Sequence, residues 1–512
     1  MSLFRAMATV GSLTMVSRIL GFIRDILTAA YLGAGPIADA FFVALKLPNF
    51  FRRVTAEGAF TVSFVPMFSG FEEKQGAKKA LSFAAEAQAM MLALLIPFTI
   101  LFVIVMPWMI AVITPGFLSD PIRYDAAVAL SRVTFPYILL ISVVALYGGV
   151  LNAFGKFAAF AAAPAFFNLT LIAAIVGLTP YTQTVGHAMA YGVTLSGVIQ
   201  VLWMLLNCYR LDIKIPLQKP KMTEHIKKLF RLMGPAILGA GVVQINLFID
   251  MILASFLPQG SISYLYYADR LYQLPLAVIG IAIGTALLPM LAKKLKARQA
   301  KKAGKLLHDA IQYGLALAIP AAIALALLAP LIMMVLFQRG AFDVQASEAS
   351  AWALRAYVVG LPAYILVKIF STAFYADQDT KTPVKCAAIA TVFNTVLSII
   401  LIQYLSHIGI ALATGIAAWL NVTLLLFYSR AQFRGMGYSL KITVLKVVMA
   451  SLVMAAVILF VQKIVPVYTV AEQILSLIMI VSGGMAVYFV LLHVTGVMNI
   501  SEFKKVFSKP RS

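Results

Sequence analysis

The sequence has few charged residues. Only 12% of its 512 residues are charged, whereas 62% are apolar, and the mean hydropathy is +0.94. Soluble globular domains carry about 25% charged residues. The composition therefore excludes an ordinary soluble protein and predicts a chain whose solvent is lipid.

Residues that usually carry catalysis or metal binding are also scarce. Cys208 and Cys386 are the only cysteines, which argues against a disulfide framework or a thiolate metal site. The five histidines are scattered, and no HExxH, P-loop or GxSxG pattern stands in a supporting context. The 19 acidic residues form no cluster that could supply a base or hold a metal. We therefore predict that the protein is not an enzyme.

Long apolar runs recur along the whole chain. A bilayer core needs about 20 apolar residues per helix, and charged residues or Gly/Pro breaks delimit fourteen such runs. They predict an all-α polytopic membrane protein with fourteen transmembrane helices. In chain order these spans 1 to 14 cover residues 6–32, 37–68, 79–113, 122–154, 158–178, 185–208, 224–256, 261–294, 303–337, 345–376, 382–403, 408–429, 440–463 and 472–497.

Lysine and arginine concentrate between particular spans. The connections after spans 2, 6, 8 and 12 and the end of the chain are basic, whereas the odd-numbered connections carry only Arg123, Arg339 and Lys463. Basic loops stay in the cytoplasm, so both termini are predicted to be cytoplasmic. Much of the net charge of +22 is then a topology signal with attraction to anionic membrane lipids, and no nucleic-acid partner is expected.

The chain repeats itself after about 225 residues. Pro97 and Pro107 recur as Pro320 and Pro330, FPYILL recurs as LPAYILV, and FNLTL at Asn168 recurs as FNTVL. Six spans separate the copies, so both have the same orientation. This predicts two pseudo-symmetric six-helix lobes, residues 1–208 and 224–430. A basic linker, 209–223, joins them, and two further helices with a basic tail follow in 431–512. A repeat of this kind suits transport, although a duplication kept only for stability remains an alternative.

Charged residues inside the spans are the sharpest indication of function. Each costs roughly 2.5 to 3.5 kcal/mol at the bilayer centre. Spans 1, 2, 8 and 10 contain Arg18, Arg24, Asp25, Asp39, Lys46, Arg52, Arg53, Glu57, Asp269, Arg270, Arg355 and Lys368. Because spans 1, 2 and 8 come from both lobes, their charges are predicted to meet in one water-filled cavity of net positive charge.

The arginines predict an anionic cargo. Guanidinium groups match phosphate oxygens bidentately, whereas an exporter of cations would need excess carboxylates. Arg18 and Asp25 share a helix face while Arg24 lies about 120° away, so one of these arginines is expected to be neutralised locally and the other left free. The alternatives are internal salt bridges for Arg18, Arg24 and Arg270, and snorkelling near a helix end for Arg52 and Arg53.

Several long motifs resemble the lipid II flippase family (MurJ, formerly MviN). They are SRILGFIRD from Ser17, GAGPIADAFFVALKLPNFFRRVTAEGAF, MGPAILG at 233–239, ASFLPQGSISYLYYADRLYQLPLAVIGIAIGTALLP at 254–289 and FYADQDTKTPVK at 374–385. The resemblance covers essentially the whole chain. One departure is Gln273, which stands where the family often has Glu.

The resemblance implies the fold and cargo of a multidrug/oligosaccharidyl-lipid/polysaccharide (MOP) exporter. A protein of this family moves lipid II, an undecaprenyl-diphosphate-linked peptidoglycan precursor, from the cytoplasmic to the periplasmic leaflet by alternating access. The family also implies a groove for the lipid tail on spans 13 and 14. The substrate-binding residues expected from the motifs and the span charges are Ser17, Arg18, Arg24, Asp39, Lys46, Arg52, Arg53, Glu57, Asp269 and Arg270.

The amino-acid sequence does not determine the energy source for transport. No cofactor is expected, but sodium, another counter-ion or the membrane potential can drive such a cycle. Asp250 and Asn394 are weak candidates for a sodium site, and either can equally be a core polar residue. A monomer is expected, with cell-wall synthesis proteins as candidate partners. The alternative function is a multidrug or organic-ion antiporter of the same fold.

Overall fold

The computed structural model describes residues 3–297, 299–429, 437–464 and 469–497, and within these ranges its secondary-structure elements are all helices. Eighteen α-helices, one π-helix and two short 3-10 helices follow one another. The α-helices are α1 Leu3–Leu32, α2 Pro36–Phe51, α3 Thr61–Gln75, α4 Ala77–Ile104, α5 Met106–Ile113, α6 Pro121–Thr134, α7 Tyr137–Ala153, α8 Phe157–Gly177, α9 Val185–Arg210, α10 Glu224–Ser255, α11 Ser261–Lys296, α12 Ala300–Leu336, α13 Val344–Val358, α14 Leu361–Ala376, α15 Lys381–Leu405, α16 His407–Tyr428, α17 Gly437–Ile464 and α18 Val470–Val494. The π-helix is Arg52–Phe60, and the 3-10 helices are Pro115–Ser119 and Thr179–Tyr181.

Many of these helices suit a lipid environment. In the described part of the chain, nine helical segments are long and apolar enough to cross a membrane, and α13 with α14, bent by 40°, would make a tenth. The predicted all-α, multi-pass character is therefore confirmed, whereas the count of fourteen spans stays a prediction. The charged helix α1 and the region of α2 are not among the nine, as the cost of intramembrane charge leads one to expect.

The internal repeat is visible in where helices break. The chain breaks between α6 and α7 at Pro136 and between α13 and α14 just before Pro362, which are equivalent positions in the two copies. Proline lacks the amide hydrogen that would continue a helix. The other proline pair differs, because α4 ends at Ile104 before Pro107 whereas α12 continues through Pro320 and Pro330.

The chain forms two compact units. Unit 1 comprises residues 1–263 with 339–343, and unit 2 comprises 264–338 with 344–512. The predicted lobe boundaries follow the sequence repeat instead, and they remain a prediction. Helix α10, which the repeat assigns to the second lobe, packs in unit 1 against the π-helix, α3 and α4.

Unit 1 is built by side-by-side helix packing. Helix α1 packs on α8, α8 on α9, and α2 on α6. An aromatic cluster joins α2, α4 and the α6–α7 break, with the rings of Phe102 and Phe135 stacked at 5.2 Å and Phe51 edge-on to both. Rings in these geometries add to the energy of burial.

The segment 339–343 is held against the end of α1. Ala341 donates its backbone amide to Ala30 O at 2.8 Å. Gly33 and Gly340 have φ of +68° and +57°, and a Cβ on Gly340 would lie 2.2 Å from Ala30 O. This close approach of two backbones therefore requires glycine.

Unit 2 packs around α12, which contacts α13, α14, α17 and α18. Tyr488 on α18 donates its hydroxyl to Ala316 O on α12 at 2.6 Å. At the α13–α14 bend, Gly360 approaches α16 so closely that an added Cβ would lie 2.6 Å from Gly415 Cα.

Candidate functional site

Arg24 and Asp25 form a buried ion pair on α1. They are 9% and 5% exposed, and Arg24 Nη2 lies 2.6 Å from Asp25 Oδ1. Arg24 Nη1 also donates to Asn168 Oδ1 on α8 at 2.9 Å, and the guanidinium lies 5.8 Å from the centre of the Phe167 ring. The planar guanidinium is thus fixed from two sides, by a carboxylate and by an amide.

Asn168 links this pair to the preceding turns of α1. Its Nδ2 donates to the carbonyl of Ser17 at 2.9 Å. A Cβ on Gly21 would lie 3.3 Å from that nitrogen, so Gly21 lets α8 approach α1 at this level. Ser17, Arg24, Asp25 and Asn168 therefore form one hydrogen-bonded group, which we call the α1–α8 cluster.

Arg18 is placed differently. Its side chain is exposed, and among the described residues it makes no hydrogen bond or ion pair. Arg24, and not Arg18, is therefore the arginine of span 1 that pairs with Asp25, and a role of Arg18 as the free arginine stays a prediction. The helix-face argument favoured Arg18 near Asp25, but a long guanidinium side chain reaches an adjacent carboxylate across the 100° between neighbours.

Asp39 lies in a separate group at the start of α11. It is fully buried and accepts hydrogen bonds from Gly260 N at 2.8 Å, Ser263 N at 2.9 Å and Ser263 Oγ at 2.7 Å. The first amides of a helix have no partner within it and carry partial positive charge. Asp39 thus caps α11, and the turn before it uses Gly260 at φ +89°.

Arg123 completes this second group, which we call the α11 cap. Its Nη1 donates to Leu257 O at 3.0 Å and lies 3.9 Å from Asp39 Oδ2, while its Nε donates to Asp120 Oδ2 at 2.7 Å. The guanidinium also covers the ring of Phe117 at 4.6 Å. A side chain that is only 6% exposed therefore bridges α2, α6 and the α10–α11 connection.

Asp120 lies outside the apolar helices and accepts three hydrogen bonds, from Arg123 N at 3.3 Å, Arg123 Nε at 2.7 Å and Gln259 Nε2 at 2.8 Å. Desolvation favours its neutral form, but the hydrogen bonds from Gln259 and Arg123 and the charge of Arg123 outweigh it and hold its pKa below the usual range. Asp120 is therefore a carboxylate at neutral pH.

The other candidates on span 2 lie at the junction of α2 with the π-helix. Arg52 Nε donates to Asn49 Oδ1 at 3.2 Å, Lys46 is half-buried and Arg53 is exposed. The side chain of Glu57 lies outside the described residues. A π-helix is rare and is often found at functional sites, which makes this junction notable.

Unit 2 holds the candidates of span 8. Arg270 Nη2 donates to the hydroxyl of Tyr266 at 3.1 Å, and the guanidinium lies 4.6 Å from the centre of that ring. Gln273 donates its amide to Asp269. A glutamate at position 273, as the family often has, could not donate in its ionised form, so this departure from the family pattern gives Asp269 a neutral partner.

The sodium candidates fall in different units. Asp250, in unit 1, accepts from Asn246 Nδ2 at 3.4 Å, and Asn394, in unit 2, is 2% exposed. Within the described ranges, no three His, Cys, Asp or Glu side chains are placed to hold a metal ion. The sodium site thus stays a prediction.

Sequence reasoning missed the residues that support the charged ones. Asn168 was noticed only as part of a repeated motif, and Arg123 only as a loop charge. A buried asparagine repeated in both copies could have indicated a polar partner for intramembrane charge. Ser263 and Gln259 carry no such signal, because their role depends on which chain segments meet.

The chain matches known proteins along its length. The sequence profile described as lipid II flippase MurJ matches residues 28–479. A probable lipid II flippase MurJ of Rhizobium tropici is 38% identical over 523 residues, covering 100% of this chain and 98% of that protein.

Solved structures give the same result. A lipid II flippase MurJ in an inward closed conformation has a TM-score of 0.79 at 28% identity, covering 95% of this chain and 98% of that one. An inward-facing multidrug resistance MATE family transporter of the MOP superfamily has a TM-score of 0.68 at 17% identity, covering 84% of this chain and 98% of its own.

The fold is thus one of multi-pass membrane transporters, shared with the MATE transporter, and it carries buried arginine on an apolar scaffold. Within that class, the chain belongs to the lipid II flippase MurJ family. The resemblance found in the sequence is confirmed, as is the prediction of a transporter and not an enzyme. The multidrug transporter shares only the fold.

Proposed function

We propose that this protein translocates lipid II from the cytoplasmic to the periplasmic leaflet of the bacterial inner membrane, for peptidoglycan synthesis. The proposal includes fourteen spans in two lobes, cytoplasmic termini and a monomer working by alternating access. The observation that carries it is the pair of arginines on α1, one locked in a buried cluster and one exposed. Family membership supplies the class of cargo.

The arginines are assigned to the diphosphate of the cargo. Arg18, Arg24 and Arg270 are proposed to bind its oxygens, since guanidinium groups bind phosphate bidentately. Asp25 and Asn168 orient Arg24, and Tyr266 orients Arg270. Lys46, Arg52, Arg53 and Glu57 are proposed to complete the polar cavity or to exchange charge partners during the cycle. Asp39, as the α11 cap, and Asp269 would act through the helix that carries Arg270.

The experiment is leaflet exposure of lipid II in cells depleted of the protein and complemented with variants. Wild type should restore periplasmic lipid II, whereas Arg18→Ala and Arg270→Ala at normal abundance should not. At position 24 the variant is Arg24→Lys, which keeps a positive partner for Asp25 but loses the guanidinium fork. It should therefore fold normally but transport poorly. Arg210→Ala, which removes an exposed charge at the end of α9, is the control and should transport normally.

The outcomes separate the two parts of the proposal. Normal transport by all three arginine variants would overturn the assignment of these arginines to the diphosphate, but it would not contradict lipid II as the cargo. Failure of the wild type to expose lipid II would overturn the cargo itself.

The driving force is proposed to be the membrane potential, with sodium or another counter-ion at Asp250 as a second route. Moving one charge through 100 mV is worth about 2.3 kcal/mol. Translocation in proteoliposomes should therefore fall when the potential is collapsed. If it instead falls only when sodium is replaced by choline, and Asp250→Asn removes that dependence, the ion route holds.

A further inference from the structure

Unit 1 contains an apolar cavity of about 130 Å³ between α4 and α10. Residues of the π-helix and of α7 also line it. We call it the α4–α10 cavity, and its walls are formed largely by Met90, Met91, Leu94, Leu229, Phe230 and Met233.

The cavity offers nothing to water. Its two hydroxyl groups are already used, because Thr55 Oγ1 donates to Phe51 O at 2.6 Å and Ser142 Oγ donates to Ile138 O at 2.8 Å. A buried water needs two to four polar partners, and an apolar cavity of about 150 Å³ stays dry and binds benzene. The occupant is therefore apolar.

The cavity opens to the outer surface of α4. Leu94 is 51% exposed, and Met91 and Met233 are half-buried. Helix α4 is one of those apolar enough to span a membrane, so the medium at this surface is hydrocarbon. Flexible methionine side chains adapt to ligands of irregular shape, which suits the entry of a hydrocarbon chain.

Basic residues lie toward the start of both helices. Thr223 donates to Glu86 at 2.7 Å, and the cavity residues of α4 and α10 all follow this bond along their helices. Lys78 and Lys79 begin α4 and are exposed, and a helix rises about 12 Å over the eight residues from Lys79 to Ala87. Exposed Lys219 and Lys221 precede α10. Anionic phosphate would be favoured at this level.

We propose that the α4–α10 cavity binds the end of one acyl chain of an anionic membrane phospholipid, whose head group lies by the lysines that precede the cavity. The lipid fills the space between the two helices and so holds α10 against α4. This site goes beyond the proposed function and does not require that lipid II be the cargo.

The test uses the full-length protein in nanodiscs with phosphatidylglycerol that carries a diazirine at the end of one acyl chain. After irradiation, peptide mass spectrometry should find adducts on Met91, Leu94 or Met233. Ala87→Phe places a ring in the cavity and should abolish these adducts, because Ala87 is buried in its wall. Ala93→Phe, on the exposed side of the same helix, is the control and should leave them intact.

Two further arms test the occupant. Lys78→Gln/Lys79→Gln should lower labelling by phosphatidylglycerol but not by a matched phosphatidylcholine probe, which should label weakly throughout. If Ala87→Phe fails to fold, Ser142→Leu fills the same cavity from α7. Equal labelling of wild type and filled variants, equal labelling by the two lipids, or displacement of the probe by undecaprenyl diphosphate would each overturn the proposal.

Discussion

Arg24 on α1 donates to Asn168 on α8 at 2.9 Å, and the same asparagine donates back to the Ser17 carbonyl of α1. One amide side chain therefore satisfies a buried cation and a backbone acceptor that lie two helical turns apart on the same helix. Arg24 also pairs with Asp25, so Asn168 and Asp25 together fix the plane of its guanidinium. An arginine held in this way loses little side-chain entropy when it meets an anion.

Asn168→Ala should weaken both stability and transport. The change removes the hydrogen bonds from Arg24 Nη1 and to the Ser17 carbonyl, of which a bond to a charged group contributes about 1.5–3 kcal/mol and a neutral one about 1 kcal/mol, and it frees Arg24 to turn toward other acceptors. Thermal unfolding in detergent and lipid II exposure in cells measure the two effects. Asn207→Ala is the control, because among the residues that the structure describes Asn207 donates only to Trp203 O of its own helix. Unchanged unfolding and transport in Asn168→Ala would show that α1 and α8 hold Arg24 without it.

Asp39→Asn should loosen the start of α11. The carboxylate uses both oxygens to accept three hydrogen bonds, whereas an asparagine has one acceptor oxygen. Hydrogen bonds to charged groups contribute about 1.5–3 kcal/mol, so the free energy of unfolding should fall by that order. Hydrogen exchange of the Gly260 and Ser263 amides should accelerate.

Ser263→Ala supplies the matched comparison. It removes one of the three bonds and keeps the backbone donors, so its effect should be the smaller. A larger loss in Ser263→Ala than in Asp39→Asn would contradict the capping role of Asp39.

The sequence predicted the helical class, the family and which helices carry intramembrane charge, because hydropathy and charge cost are local properties of a segment. It did not predict that Asp39 caps α11, or that Arg24 and not Arg18 pairs with Asp25. Those results depend on which helix ends meet and on how far a side chain can reach. The spacing of residues along one helix carries no information about either. The repeat did indicate Asn168, but its partners, Arg24 and the Ser17 carbonyl, depend on how α8 packs against α1.

Arg123→Lys should destabilise the protein although lysine keeps the positive charge. One ammonium cannot reach both Asp120 and Leu257 O while covering the Phe117 ring, as the guanidinium does. The change removes a buried hydrogen bond from the guanidinium to Leu257 O, which contributes about 1.5–3 kcal/mol, so the free energy of unfolding should fall by that order. Arg132→Lys on the same helix, where the arginine makes an exposed bond to Val103 O, should be nearly silent. Equal stability of the two variants would contradict the bridging role of Arg123.

The contribution of Asp120 to the stability of the folded protein should depend on pH. Its pKa is held below the usual range in the folded protein, so its stabilisation is fully present above the unfolded value of about 3.9 and is lost as pH falls through the lower folded value. The difference in unfolding temperature between wild type and Asp120→Asn should therefore be constant from pH 7 to pH 5 and shrink below pH of about 4. A difference that grows on acidification would contradict this assignment.

Gly340→Ala should detach the segment 339–343 from α1. Three glycines separate the effect of backbone strain from that of a steric clash. Gly177 has ordinary backbone angles and open space around it, and Gly155 has φ +72° with open space. Gly340 has φ +57°, and an added Cβ would lie 2.2 Å from Ala30 O. Gly177→Ala should be neutral or slightly stabilising, and Gly155→Ala should cost about 1–2 kcal/mol for the left-handed backbone alone. Gly340→Ala should cost more, with faster exchange of the Ala341 amide that now donates to Ala30 O. If Gly340→Ala costs no more than Gly155→Ala, only backbone strain is involved, and the close approach of the segment to α1 does not contribute to stability.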